Sequence, residues 1–85
     1  MAVIVKKPTQ QQIDLFKNRP SWEASAYTGQ WKRFAADEFF LAAEGNAVLH
    51  CEGGLDVPCQ KGDFVLIQKG TNLYWEVPVH FKKHF

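Results

Sequence analysis

Glu38 is the side chain with the clearest chemical potential in this 85-residue sequence. It begins the stretch EFFLAAEG (38–45), in which five apolar residues follow the carboxylate. A carboxylate at the head of such a strand either lies in water at a rim or points into a pocket. In a pocket it could anchor a polar group of a ligand, or move a proton as a general acid or base. A structural ion pair with Arg33 or with a lysine is the alternative.

The C-terminal stretch HFKKHF (80–85) contains the other groups of chemical interest. Side chains alternate between the two faces of a strand, so Lys83 shares a face with Phe81 and Phe85. On an inward face this lysine could reach the carboxylate described above or bind an anionic ligand. The alternative is that its ammonium extends into solvent at the chain end. His84 lies on the other face, where either a structural hydrogen bond or a functional role is open.

The elements that must position these groups are mostly strands. Residues 2–5 (AVIV) predict a strand, and residues 8–18 predict a short helix with a capping box of Thr9 and Gln12. Later runs rich in β-branched and aromatic residues, separated by glycines and a proline, predict strands over 22–27, 30–35, 38–43, 46–52, 55–59, 63–67, 73–77 and 79–85. The pattern predicts one domain, residues 1–85, that is an all-β sandwich or barrel with a short N-terminal helix.

A hairpin at Gly53-Gly54 bears on the two cysteines of the sequence. A two-residue turn there would pair Cys51 with Asp56 and place Cys51 and Cys59 on opposite faces. Sulfurs on opposite faces cannot bond, so both thiols are predicted to be reduced.

The overall composition excludes several classes of partner. Ten basic and nine acidic residues give a net charge of +1, which is not the charge pattern of a nucleic-acid or membrane-surface protein. No apolar run is long enough to span a bilayer, and the start is not typical of a signal peptide, so a cytoplasmic location is predicted. Seven Phe, three Trp and two Tyr are more than a small barrel easily covers. Exposed aromatic patches mark interfaces, so a homodimer is expected.

Two spacings resemble the motifs of the cupin superfamily of small jelly-roll barrels. Glu38 is followed by six residues and Gly45, as in the first motif. Gly62 is followed by five residues, Gln68 and then Gly70, which resembles the second motif with Gln68 at the position of its proline. The resemblance implies a cupin-type jelly-roll barrel.

The C-terminal residues 70–85 are similar to the ending of one branch of small, single-domain cupins, related to the ureidoglycine aminohydrolase cupin domain. The residues that fit this ending are Trp75, Val77, Lys83, His84 and Phe85. The opening helix, Trp22-Glu23 and Trp31 resemble the same branch. The resemblance therefore spans almost the whole chain.

The metal site of the family is where the sequence departs from it. Cupins typically hold a metal with two histidines before the motif glutamate and one histidine after it. In this sequence those positions hold Lys32 and Phe34, or Trp31 and Arg33, and then Leu73. Only Glu38 remains, and a divalent ion needs three or four ligands. The sequence therefore predicts no metal and no cofactor, and neither the metal-dependent chemistry of cupins nor ureidoglycine aminohydrolase activity is expected.

The same alignment predicts the pocket. Alternation puts Phe40 on the inward face with Glu38, and Trp75 on the inward face with Leu73. The candidate ligand-binding residues are Trp31, Arg33, Glu38, Phe40, Leu73, Trp75, Lys83 and His84. The leading hypothesis is a metal-free protein that binds a small organic ligand in the barrel. Two alternatives stay open: an enzyme that uses Glu38 on a small nitrogenous or sugar-like substrate, and a structural module whose barrel is filled by its own side chains.

Overall fold

Seven antiparallel strands and one helix build the part of the chain that the computed structural model describes, residues 2–85. In chain order they are β1 (Val3–Lys6), α1 (Gln10–Phe16), β2 (Ser21–Thr28), β3 (Lys32–Arg33), β4 (Glu38–Cys51), β5 (Leu55–Gln60), β6 (Phe64–Ile67) and β7 (Asn72–His84). The strand order is β1-β6-β4-β7-β2, with β3 also paired to β7 and β5 to β4. The all-β architecture with a short N-terminal helix is confirmed.

The two long strands, β4 and β7, pass through positions that the sequence predicted as breaks. Gly45 pairs with Phe81, and Val48 pairs with Glu76. The segment of β7 between these two pairs, 76–81, is therefore longer than the facing segment of β4, 45–48. This mismatch is a bulge, and Pro78 lies in its unpaired part. The missing N–H of the proline therefore removes no ladder hydrogen bond, and the strand continues.

The helix α1 begins as the sequence predicts. The Thr9 hydroxyl accepts a hydrogen bond from the Gln12 amide at 3.1 Å, and the Thr9 amide donates to the Gln12 side chain at 2.9 Å. Phe16 fixes the helix to the barrel through an edge contact with Phe64, with ring centroids 5.0 Å apart. Within residues 2–85, no helix has the length and apolarity that a membrane crossing requires.

The hairpin between β4 and β5 has a different register from the predicted one. Cys51 pairs with Leu55 and Ala47 pairs with Cys59, so the connection is three residues long rather than two. Residues paired in this way share a face, and the two cysteines therefore both point into the core instead of to opposite faces. They are free thiols, four residues apart along the ladder, which is about 13 Å at the usual rise per residue. Distance, and not orientation, separates the sulfurs.

Side chains fill most of the barrel interior. The largest fully buried ones are Phe40, Phe81, Leu49, Ile67, Leu73, Val65, Val77 and Cys59. These side chains form a packed core between the strands.

Burial makes the Cys59 thiol unreactive, which yields a first prediction. Burial raises the pKa of Cys59 to about 12, against 9.0 for an ordinary thiol. Because only the thiolate is nucleophilic, alkylation of Cys59 by iodoacetamide is expected to be about a thousandfold slower than for a free thiol. Peptide mass mapping after native and urea-denatured labelling measures this difference. Fast native labelling of Cys59 would contradict burial of its thiol in the core.

Candidate functional site

One pocket brings aromatic rings, two lysines and a carboxylate together. We call it the barrel-mouth pocket, and its volume is about 310 Å³. It is lined by Trp22, Tyr27, Lys32, Phe34, Glu38, Trp75, Lys83 and Phe85. These residues belong to β2, β3, β4 and β7 or follow directly on β3 and β7. A concave, mainly apolar pocket with a few convergent polar groups is the usual form of a small-molecule site.

Lys83 directs its ammonium into a cage of aromatic rings. Its Nζ lies 4.8 Å from the ring centroid of Trp75 and 4.9 Å from that of Phe40. The ring centroids of Phe85 and Trp22 lie 5.3 and 5.7 Å from the same Nζ. All four distances are within the range of cation–π attraction. The rings take the place of water around the ammonium, and none of them is a hydrogen-bond acceptor of carboxylate strength that would replace the lost hydration.

The one carboxylate that lines the pocket lies closer to Lys32 than to Lys83. The Glu38 carboxylate lies 4.0 Å from Lys32 Nζ, and its side chain is 47% exposed. Among residues 2–85, no carboxylate lies within 4.0 Å of Lys83 Nζ. Burial lowers the pKa of Lys83, the charge of Glu38 opposes this shift, and the nearby Lys32 adds to it. Lys83 is therefore a half-buried amine that faces an open pocket.

The structure brings several of the predicted site residues together. Glu38, Trp75 and Lys83 line the barrel-mouth pocket, and the Phe40 ring contacts Lys83 from the core side. Leu73 points inward as expected, but it is fully buried in the core and does not line the pocket. The inward alternation inferred for β4 and β7 thus matches the structure.

Trp31, Arg33 and His84 lie outside the pocket, contrary to the prediction. Lys32 pairs with Leu73, so on β3 it is Lys32 that faces inward and its two neighbours face outward. Trp31 packs on the outer surface against Tyr74, with ring centroids 4.9 Å apart. The His84 imidazole makes a 2.9 Å hydrogen bond through Nδ1 with the carbonyl of Arg19, away from the pocket. His84 therefore fixes the C-terminal end of the chain to the loop before β2.

Five pocket residues were not predicted from the sequence: Trp22, Tyr27, Lys32, Phe34 and Phe85. Trp22 faces Lys83 directly across the β2–β7 ladder. The ring centroids of Trp22 and Tyr27 are 5.4 Å apart. Trp22 alternates with exposed residues along β2, which is a signal for an inward side chain, but this alternation does not reveal which strand lies opposite.

The residues around Glu38 do not fit the metal site of a cupin. The inward position on β3 holds the Lys32 ammonium, and Phe34 and Leu73 are buried apolar side chains. One carboxylate beside a lysine is not a donor set for a divalent ion.

A group of three other metal-ligand side chains lies on the outer surface. Within residues 2–85, only Glu23, Glu44 and His80 bring three such groups together. His80 Nε2 contacts Glu23, and this hydrogen bond lowers the pKa of the Glu23 carboxyl. Lys82 Nζ lies 3.9 Å from Glu44. The three groups are thus already paired with each other and with a lysine, as in an exposed ion-pair network.

His50 is a second outer feature, and its imidazole has two carboxylates as hydrogen-bond partners. Its Nε2 lies 2.7 Å from Glu76 and its Nδ1 lies 2.7 Å from Asp56. The ring stacks on Tyr74 with centroids 4.7 Å apart. The hydrogen bonds to Glu76 and Asp56 raise the pKa of His50, because both favour the imidazolium.

This raised pKa predicts a pH dependence of stability. The stabilisation by the two hydrogen bonds of His50 is complete below 6.5, the pKa of this histidine in the unfolded chain. It is lost as pH rises through the higher His50 pKa of the folded protein. The melting temperature is therefore expected to fall over that window, and the variant His50→Gln should show less of this fall. Thermal melts of both proteins at closely spaced pH values measure the difference. Parallel curves for the two proteins would contradict the assignment.

Comparisons with known proteins place the chain in a family. The family model of the EutQ-like cupin domain matches residues 14–85. A DUF861 family protein from Thermotoga maritima has a similar structure, with a TM-score of 0.86 and 26% sequence identity over 98% of this chain and 96% of that one. No curated protein is significantly similar in sequence. The predicted cupin-type jelly-roll barrel is confirmed, and the chain belongs to the EutQ-like cupin domain family.

Proposed function

We propose that this cupin domain binds a small organic anion, with an apolar or aromatic body, in the barrel-mouth pocket. One observation carries the proposal. The Lys83 ammonium faces an open pocket, and among residues 2–85 no carboxylate lies within 4.0 Å of it. A half-buried charge is costly unless it is paired, so a ligand carboxylate would complete the site.

The aromatic walls of the pocket suit the rest of such a ligand. The rings of Trp22 and Trp75 have centroids 5.7 Å apart, and those of Trp75 and Phe40 are 5.3 Å apart. Rigid aromatic side chains of this kind provide apolar area and stacking contacts. The pocket volume, about 310 Å³, lies at the small end of the usual range for ligand sites.

A second groove of similar volume, about 300 Å³, is a weaker candidate. It lies over the pairing of β4 with β5 and is lined by residues such as Asn46, Pro58 and Gln60. No lysine, arginine or aromatic ring lines it. Its one ionisable side chain besides the Cys59 thiol is Asp63, which accepts from the Gln60 amide and lies 3.5 Å from Lys7. This groove therefore offers no unpaired charge to a ligand.

The two alternatives from the sequence gain less support. Glu38 is half exposed and its carboxylate lies 4.0 Å from Lys32, an arrangement typical of a surface ion pair. The barrel interior is packed, which agrees with a filled barrel, but the packing stops at the mouth. The binding hypothesis agrees with both the packed interior and the open mouth.

Charge discrimination tests the proposal. We expect 4-methylbenzoate to bind at least about tenfold more tightly than the neutral 4-methylbenzamide, because a charge-assisted hydrogen bond contributes about 1.5–3 kcal/mol. Isothermal titration calorimetry of both compounds measures the ratio, and loss of the discrimination at high salt is a further check. Equal affinity for the acid and the amide, or no binding of either, would contradict the proposal.

We further propose that the chain is a homodimer, as its aromatic content suggests. Large apolar side chains are exposed at several places, among them Trp31, Leu55 and Val79. Contact with a second copy of the chain would remove these apolar surfaces from water. Multi-angle light scattering at tens of micromolar should give twice the monomer mass. A monomer mass would refute this proposal without affecting the pocket.

A further inference from the structure

We propose that Lys83 acts as a nucleophilic amine and forms a reversible imine with a small aldehyde or ketone bound in the barrel-mouth pocket. This inference rests on the proposed binding function and specifies the chemical class of the ligand. In such a compound a carbonyl group takes the place of the carboxylate at Lys83, and an anionic group at the other end of the molecule lies towards Lys32.

The surroundings of Lys83 favour a reactive amine. Its Nζ is caged by the rings of Trp75 and Phe40 at 4.8 and 4.9 Å, so part of its hydration is lost. A second ammonium, that of Lys32, lines the same pocket. An apolar environment and a neighbouring cation are the two features that increase the share of neutral, nucleophilic lysine at neutral pH.

The pKa of Lys83 agrees with this geometry. Burial lowers it, Lys32 lowers it further, and the charge of Glu38 opposes both. No carboxylate within 4.0 Å holds the ammonium form in an ion pair, as far as residues 2–85 are concerned. Lys82, the next residue along the chain, lies on the outer face, 3.9 Å from Glu44.

The reaction balances without an oxidant or a reductant. The lone pair of Lys83 Nζ attacks the carbonyl carbon, an N–C bond forms, and the carbonyl oxygen takes up a proton that leaves the nitrogen. The resulting carbinolamine then loses its hydroxyl group, together with one proton, as water, and the C=N double bond forms. Glu38 lines the same pocket but lies more than 4.0 Å from Lys83 Nζ, so water in the open pocket relays these protons between nitrogen and oxygen.

Reductive trapping tests the inference on the full chain. The protein is incubated with 4-formylbenzoate and sodium cyanoborohydride at neutral pH, and the labelled lysines are mapped by mass spectrometry. Cyanoborohydride converts an imine to a stable secondary amine. We expect Lys83 to be labelled at least about tenfold faster than Lys82. The variant Lys83→Arg should lose this fast labelling, because a guanidinium does not form an imine, and Lys82→Arg should keep it.

The labelling ratio and the affinity of 4-methylbenzoate separate two kinds of failure. Labelling of Lys83 no faster than Lys82, with 4-methylbenzoate still bound, would overturn the imine and leave the binding function intact. Unselective labelling with no binding of 4-methylbenzoate would overturn both. Selective labelling of Lys83 in the wild-type chain supports the imine, and this readout does not depend on the folding of any variant.

Discussion

The variant Gly45→Ala is expected to lose about 3–5 kcal/mol of unfolding free energy, which is a large part of the stability of an 85-residue domain. Gly45 has a φ angle of +72°, which L-residues rarely adopt. A Cβ there would lie 1.9 Å from the carbonyl oxygen of His80 on the neighbouring strand β7. Backbone atoms of a paired strand cannot move away cheaply, so β4 and β7 must separate at the bulge. Urea denaturation followed by tryptophan fluorescence measures the loss.

Gly62→Ala is the matched control for this variant. Gly62 also has a positive φ, +92°, but a Cβ there would have nothing within 4 Å. Its cost should be the conformational strain alone, about 1–2 kcal/mol. The difference between the two variants isolates the clash with β7. Equal losses for both would show that a Cβ at position 45 does not clash with the carbonyl of His80.

Lys83→Met is expected to change ligand binding and stability in opposite directions. Without the ammonium, affinity for 4-methylbenzoate should fall by about 1.5–3 kcal/mol, which is more than tenfold. The desolvation of the charge is removed at the same time, so the free energy of unfolding should rise by about 0.5–2 kcal/mol. Lys82→Met, which removes a lysine from the outer face, is the control and should leave binding unchanged. Calorimetric titration and urea denaturation of the same preparations supply both numbers.

The gain in stability of Lys83→Met should depend on pH. Burial lowers the pKa of Lys83 in the folded protein below the ordinary value of 10.5. Between these two pKa values the unfolded chain binds more protons than the folded one, so wild-type stability rises with pH in that window. The difference in unfolding free energy between Lys83→Met and the wild type is therefore largest below the pKa of Lys83 in the folded protein. It becomes smaller as pH approaches 10.5. An advantage that stays constant up to that pH would contradict burial of the charged amine.

The strand content was predictable from the sequence, but the lengths of the strands were not. Alternation and β-propensity indicated strands on both sides of Gly45 and of Pro78, and both residues also indicated breaks. In the structure the two residues occupy the bulge between β4 and β7, where a positive φ and a missing N–H are tolerated. A bulge arises from the pairing of distant strands, and local sequence does not report that pairing.

The candidate site shows the same division between local and distant information. Alternation along single strands correctly placed Glu38, Phe40 and Lys83 inward, because it needs only one reference residue per strand. Trp31 directly precedes β3, which is only two residues long. It was assigned to the wrong side because the inward face of so short a strand is fixed by the pairing of β3 with β7. Trp22 was missed because its position opposite Lys83 depends on a register between β2 and β7 that the sequence does not specify.

The most direct test of the binding proposal is an NMR titration of the wild-type protein with 4-methylbenzoate, read on the indole N–H signals of its three tryptophans. Trp22 and Trp75 line the barrel-mouth pocket, whereas Trp31 packs on Tyr74 outside it and is an internal control. We predict that the signals of Trp22 and Trp75 shift together along one saturating curve, while that of Trp31 stays in place. A saturating shift confined to Trp31, or no shift of any of the three at millimolar ligand, would contradict binding in the barrel-mouth pocket.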